Sequence, residues 1–68
     1  MEPQGNKALT KREREIAMFV HQGYSSKQIA VKLGISERTV EAHRSNIMEK
    51  RGFKSLADIV RAVERGEL

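Results

Sequence analysis

The chain has 68 residues, no Cys, 13 Lys and Arg against 9 Asp and Glu, and a formal net charge of +4. That length supports one thin core and leaves no room for a cleft between two lobes; without Cys there is no disulfide framework, thiolate metal site or thiol nucleophile. His21 and His43 are the only histidines, too few for a zinc site, and no apolar run approaches the roughly 20 residues that span a bilayer.

Met1–Ala8 (MEPQGNKA) is polar and holds the only Pro. It reads as a disordered leader or linker stub, too polar for a signal peptide, so the expected compartment is the cytosol. Residues 9–68 form the predicted domain. Thr10 with Glu13 makes a capping box, with Leu9 as its hydrophobic staple, and opens a first helix over 11–22 that exits at Gly23. Ser25 with Gln28 makes a second box and opens a short helix over 26–33, ending at Gly34. Ser36 caps a third helix over 37–51, stopped at Gly52. Ser55 with Asp58 opens a fourth over 56–65, ending at Gly66. The apolar positions are spaced by three, four and seven, which gives each helix one inward stripe. These are Ile16, Phe19 and Val20; Ile29, Ala30 and Leu33, with Ile35 following; Val40 and Ile47; and Leu56, Ile59, Val60 and Val63. No strand is expected, because Val and Ile never alternate with polar residues over a useful length. The predicted fold is all-α, a compact four-helix domain.

The second and third helices carry the most specific pattern, SKQIAVKLGISERTVEAHRS over residues 26–45. A small residue, Ala30, stands where two helices cross closely, and Gly34 stands at the turn, where positive φ is needed. A short helix, a Gly turn and a longer helix make a helix-turn-helix; an ordinary αα-corner is the plainer alternative. The charge supports the first. Residues 7–54 hold eleven basic and five acidic side chains, a balance of +6, while residues 55–68 hold two basic and three acidic, a balance of −1. A basic body with a near-neutral tail suits a polyanion on one side and a protein contact at the other end.

The stretches LTKREREI, GYSSKQIAVKLGIS, RTVEAHRSNIMEK and KSLADIV together resemble the LuxR/FixJ/NarL type of DNA-binding domain, from about Leu9 to Val63. The TVE-x-HR-x-N stretch is most similar to the FixJ-like response regulators. The resemblance implies a transcription factor whose third helix enters the major groove of double-stranded DNA and whose fourth helix pairs two protomers. It implies further that the chain is either the output domain of a regulator with a phosphoacceptor receiver ahead of it, or a stand-alone small regulator. RNA polymerase is a further candidate partner; no membrane contact and no cofactor is expected.

Helix geometry selects the same reading face. With Val40 set at 0° and 100° per residue, Ile47 and His43 lie on the core side. Arg38, Glu41, Ala42, Ser45 and Glu49 fall between about 100° and about 200°. The family's base-reading positions match Glu41, Ala42 and Ser45. Glu41 is suited to accept from a cytosine amino group, Ala42 to touch a thymine methyl, and Ser45 to bond several bases. Glu41 has an alternative, an intrahelical pair with Arg38 or Arg44; Glu49 is expected to be solvated. Expected phosphate contacts are Lys27, at a helix start where free N–H groups also favour an anion, Arg38 and Thr39 in the first turn of the reading helix, and Arg44 on its flank. His43 matches the family's own His and is expected at the core boundary. Glu15 is expected to pair with Lys50 or Arg12, and Met48 and Phe53 to pack. Arg51 stands where the family usually has Leu.

On the fourth helix Ala57, Arg61 and Glu64 share an exposed face. Arg61 of one protomer opposite Glu64 of another makes a weak homodimer contact, formed mainly on DNA. Two other functions compete. A sigma-factor promoter-reading region shares LT-x-RERE, but His43 and the NIMEK stretch argue against it. A protein-interaction module with a vestigial DNA face is favoured by the acidic Glu41 and Glu49. No nucleophile–base or metal constellation supports an enzyme.

Overall fold

The computed structural model describes residues 8–68. Residues 1–7 of the expected leader lie outside the described residues. Ala8, the last residue of that expected leader, is described, and its carbonyl accepts from Lys50 Nζ at 3.4 Å. Four helices follow among the described residues: α1 (Lys11–His21), α2 (Ser26–Leu33), α3 (Glu37–Arg51) and α4 (Leu56–Glu64). The predicted ends of the first and fourth, Gln22 and Arg65, are cap residues just past the last helical position.

The starts follow from local chemistry. Glu13 N–H donates to Thr10 Oγ1 at 3.1 Å and Thr10 N–H to Glu13 Oε1 at 2.9 Å; Ser25 and Gln28 do the same for α2. Ser36 Oγ accepts from Thr39 N–H at 3.0 Å. At α4 the Asp58 carboxylate carries the cap, accepting from Lys54 N–H at 2.8 Å and Ser55 N–H at 3.3 Å. In the turn between α2 and α3, Gly34 takes φ +69° and Ile35 N–H reaches back to the Ala30 carbonyl at 3.1 Å. A Cβ at Gly34 would meet nothing within 4 Å, so the backbone angle, not space, calls for glycine.

α1 packs on both α3 and α4, and α2 packs on α3. Each helix contributes at least one aliphatic side chain with no exposure at all: Ile16, Ile29, Val40 with Ile47, and Ile59. Leu9, Ala17, Val20, Ala30 and Ala62 are also buried, and Phe19, Leu33, Ile35, Met48, Phe53, Val60 and Val63 pack against this cluster. The predicted stripe of α4 needs one correction. Its inward line is Ile59 and Ala62, while Leu56 is 39% exposed. Helical side chains lean toward the N-terminus, so the first-turn Leu56 overhangs the end of the packed surface instead of entering it.

One charged side chain sits inside this frame. Glu13 is 3% exposed, and beyond its capping role it accepts from Lys50 Nζ at 2.8 Å, joining α1 to α3. Glu15 takes the other of its two expected partners, Arg12, at 3.3 Å. Arg14 donates to the Leu9 carbonyl at 2.9 Å. Arg51 is half-buried, with its Nε shielded from solvent and without a hydrogen-bond partner.

Candidate DNA-binding face

α3 is fixed on one side by Val40 and Ile47, both with no exposure. At 100° per residue the opposite side must face outward, and Arg38, Glu41, Ala42, Ser45 and Glu49 are all exposed. The three expected base readers, Glu41, Ala42 and Ser45, therefore lie together on one open face. No ion pair joins Glu41 to Arg38 or Arg44 among the described residues, so its carboxylate is not held by either neighbour. Glu41 and Ser45 also line a groove of about 470 Å³ with Arg44, Met48, Ser55 and Leu56. The half-buried Met48 and the overhanging Leu56 give it an apolar wall beside the polar face.

The expected phosphate binders differ in how they are held. Lys27 and Arg38 are exposed, at the first turns of α2 and α3. Thr39 is exposed, but its hydroxyl lies 2.9 Å from Ser36 Oγ within the cap. Arg44 is half-buried and donates through a terminal guanidinium nitrogen to the hydroxyl of Ser26, at the start of α2. That bond bridges the two helices of the helix-turn-helix. Sequence reasoning did not single out Ser26. The available cue was a second serine directly after one already used as the cap, a hydroxyl with no local task.

His43 is half-buried as expected for a boundary position, and its charge acts on Glu13. Burial alone pushes the Glu13 carboxyl up, but the hydrogen bonds from Lys50 and Thr10, with the charges of Lys50 and His43, outweigh it. The net result is a carboxyl below its ordinary value. On α4 the Lys54 N–H bond is the main cause holding the Asp58 carboxyl low, with Ser55 and Arg61 adding to it against some desolvation. Ala57, Arg61 and Glu64 are all exposed. Arg61 is hydrogen-bonded to Asp58 on its own helix, and Glu64 lies 3.4 Å from His21 Nε2 on α1. Among the described residues no three His, Cys, Asp or Glu side chains cluster as a metal site would, and no helix is long and apolar enough to cross a membrane.

Comparison with known proteins agrees with this geometry. Residues 7–63 match the family described as bacterial regulatory proteins, luxR family. The chain is 50% identical over 58 residues to the response regulator protein TmoT of Ectopseudomonas mendocina and to the response regulator protein TodT of Pseudomonas putida. Each match covers 85% of this chain and 26% of the relative. It is likewise 50% identical over 54 residues to the oxygen regulatory protein NreC of Staphylococcus aureus, covering 79% of this chain and 25% of that protein. The chain thus spans about a quarter of the length of the curated relatives it matches. No solved structure gives a significant match. With its helix-turn-helix, its open α3 face and a match over residues 7–63, the chain belongs to the luxR family of bacterial regulatory proteins and is a DNA-binding domain of transcription regulation.

Proposed function

We propose that this domain is the output domain of a response regulator, placing α3 in the major groove of its operator. Glu41, Ala42 and Ser45 read base edges, while Lys27, Arg38, Thr39 and Arg44 grip the phosphates on either side. The observation that carries the reading is the single exposed face of α3, where the three base-reading side chains stand together and Arg38 is exposed beside them. The luxR-family match and the names of the relatives supply the regulatory context. An α-helix fits the major groove, and a carboxylate on its face is suited to a cytosine amino group rather than to phosphate. The acidic Glu41 thus narrows the sequence chosen, at some cost in overall affinity.

Two copies meet through Ala57, Arg61 and Glu64 of α4, mainly when DNA or an upstream domain brings them together, on half-sites about one helical turn apart. RNA polymerase is the partner next to the bound dimer, and the work is done at the nucleoid, in the cytoplasm. Selection of bound duplexes from random sequence, followed by a salt titration, tests the reading. One enriched motif with affinity falling steeply as salt rises is expected. Binding that enriches no motif, or that ignores salt, overturns it.

A further inference from the structure

Ser26 spends a hydroxyl in an unusual way. Its neighbour Ser25 already caps α2, accepting from Gln28 N–H at 3.2 Å, while Gln28 Oε1 accepts from Ser25 N–H at 2.9 Å. The Ser26 hydroxyl therefore has no capping task. Ser26 as a residue is 6% exposed, and its hydroxyl accepts a hydrogen bond from Arg44, eighteen residues away on the flank of the reading face. Arg44 lines the same groove as Glu41 and Ser45. A guanidinium presents five N–H donors in a rigid planar fork, and fixing one of them fixes the direction of the rest.

We propose that Ser26 is a positioning residue for DNA binding: its buried hydroxyl holds the Arg44 guanidinium at the edge of the α3 face, so that the remaining N–H donors meet one backbone phosphate of the duplex. The inference rests on the reading of Arg44 as a phosphate contact. A free arginine gives up much rotamer freedom when it grips an anion. One already tethered in the unbound protein has given it up in advance, which is how preorganisation raises affinity. The tether also aims the fork from α2, so the register of α3 against the phosphate depends on how the two helices are joined.

Neutral methylphosphonate linkages, introduced one at a time along a duplex selected for tight binding, test this with the 68-residue chain and its Ser26→Ala and Arg44→Ala variants. Ala at Ser26 leaves the Ser25–Gln28 box intact, and circular dichroism confirms that each variant is folded. The phosphate that Arg44 contacts is the position whose neutralisation removes the penalty of Arg44→Ala. Ser26→Ala is expected to weaken binding to the unmodified duplex by about 2- to 10-fold, the worth of one hydrogen bond that orients a charged group, and to cost nothing further at that same position. A merely structural tie between α2 and α3 would cost the same on every duplex, and that outcome overturns the proposal while leaving the Arg44 contact standing. If Ser26→Ala binds the unmodified duplex like the parent, the proposal is also overturned. If no position absorbs the Arg44→Ala penalty, the phosphate contact itself fails, and the positioning role falls with it.

Discussion

Lys50 Nζ lies 2.8 Å from Glu13 Oε1, joining the last turns of α3 to the first turn of α1 across 37 residues of sequence. Glu13 at 3% exposure is the more deeply buried partner, so the two ends of the pair are not equivalent. Replacing Lys50 with Met strands a buried carboxylate and is expected to cost about 1–3 kcal/mol of stability. Glu13→Gln keeps an acceptor for the Thr10 N–H and is expected to cost less. Urea unfolding of the two variants checks the order; equal losses, or a harmless Lys50→Met, refute it.

The same carboxylate sets an acid limit. Its folded value lies below the ordinary 4.5, so its contribution to stability is complete above that pH and is lost as pH falls through the lower folded value. Thermal melts from pH 6 downward should show Tm falling below about pH 4.5, with a shallower fall for Glu13→Gln. An identical acid limb in the variant would mean that other carboxylates set it.

Arg51 is expected to be a removable weakness. Its Nε is shielded without a partner, and an unsatisfied buried donor costs about 1–3 kcal/mol. Arg51→Leu should therefore raise Tm, provided the new side chain reaches the apolar cluster around Met48 and Phe53. A lowered Tm would show that the rest of the guanidinium contributes more in water than its Nε loses inside.

The exposed side chains of α3 should separate into two classes. Arg38→Ala is expected to weaken binding to all duplexes alike and to reduce the slope of log K against log salt by about 0.9, one phosphate's worth. Ser45→Ala and Glu41→Gln should instead change which sequence is preferred, with little effect on the slope. Quantitative binding across a small duplex library at several salt concentrations distinguishes them. An Arg38→Ala, Arg44→Ala double variant that binds like the parent contradicts the assignment.

Pairing through α4 should be weak. Arg61 is already held by Asp58 and Glu64 already lies beside His21, so a contact between copies must first release both. Exposed ion pairs contribute only about 0–1 kcal/mol each. Sedimentation should find monomers at micromolar concentration, with cooperative occupation of two half-sites on DNA that Arg61→Glu abolishes without changing affinity for one. A tight dimer in free solution is the contrary result.

What was legible in the sequence was whatever local geometry encodes. Thr10, Ser25 and Ser36 mark helix starts because a hydroxyl there satisfies an N–H three residues on, and Gly34 and Gly52 mark ends because their φ is left-handed. The α3 face was legible because Val40 and Ile47 fix its inward side, and everything else follows at 100° per residue. Tertiary pairings were not. The sequence offers Lys50 to Glu15, yet it pairs with Glu13 two residues earlier, and nothing local links Arg44 to a serine eighteen residues before it. A wheel gives the direction of a Cβ, and a long side chain can turn from there, as Arg44 does toward α2. Leu56 was misplaced for a related reason: a stripe tells which way a helix faces, not how far its first turn overhangs its neighbour.

The hitching of Ala8 and Leu9 also has a mechanical side. Lys50 holds the Ala8 carbonyl at 3.4 Å and Arg14 the Leu9 carbonyl at 2.9 Å, so the chain enters the domain beside the C-terminal end of α3. Lys50 stands twelve residues from Arg38, about 18 Å along the helix. The anchor point of Ala8 therefore lies at the far end of α3 from its leading turns. A pull on Ala8 is thus borne in part by Lys50, whose ammonium also bonds Glu13, and so loads the joint between α1 and α3 rather than the first turn of α3.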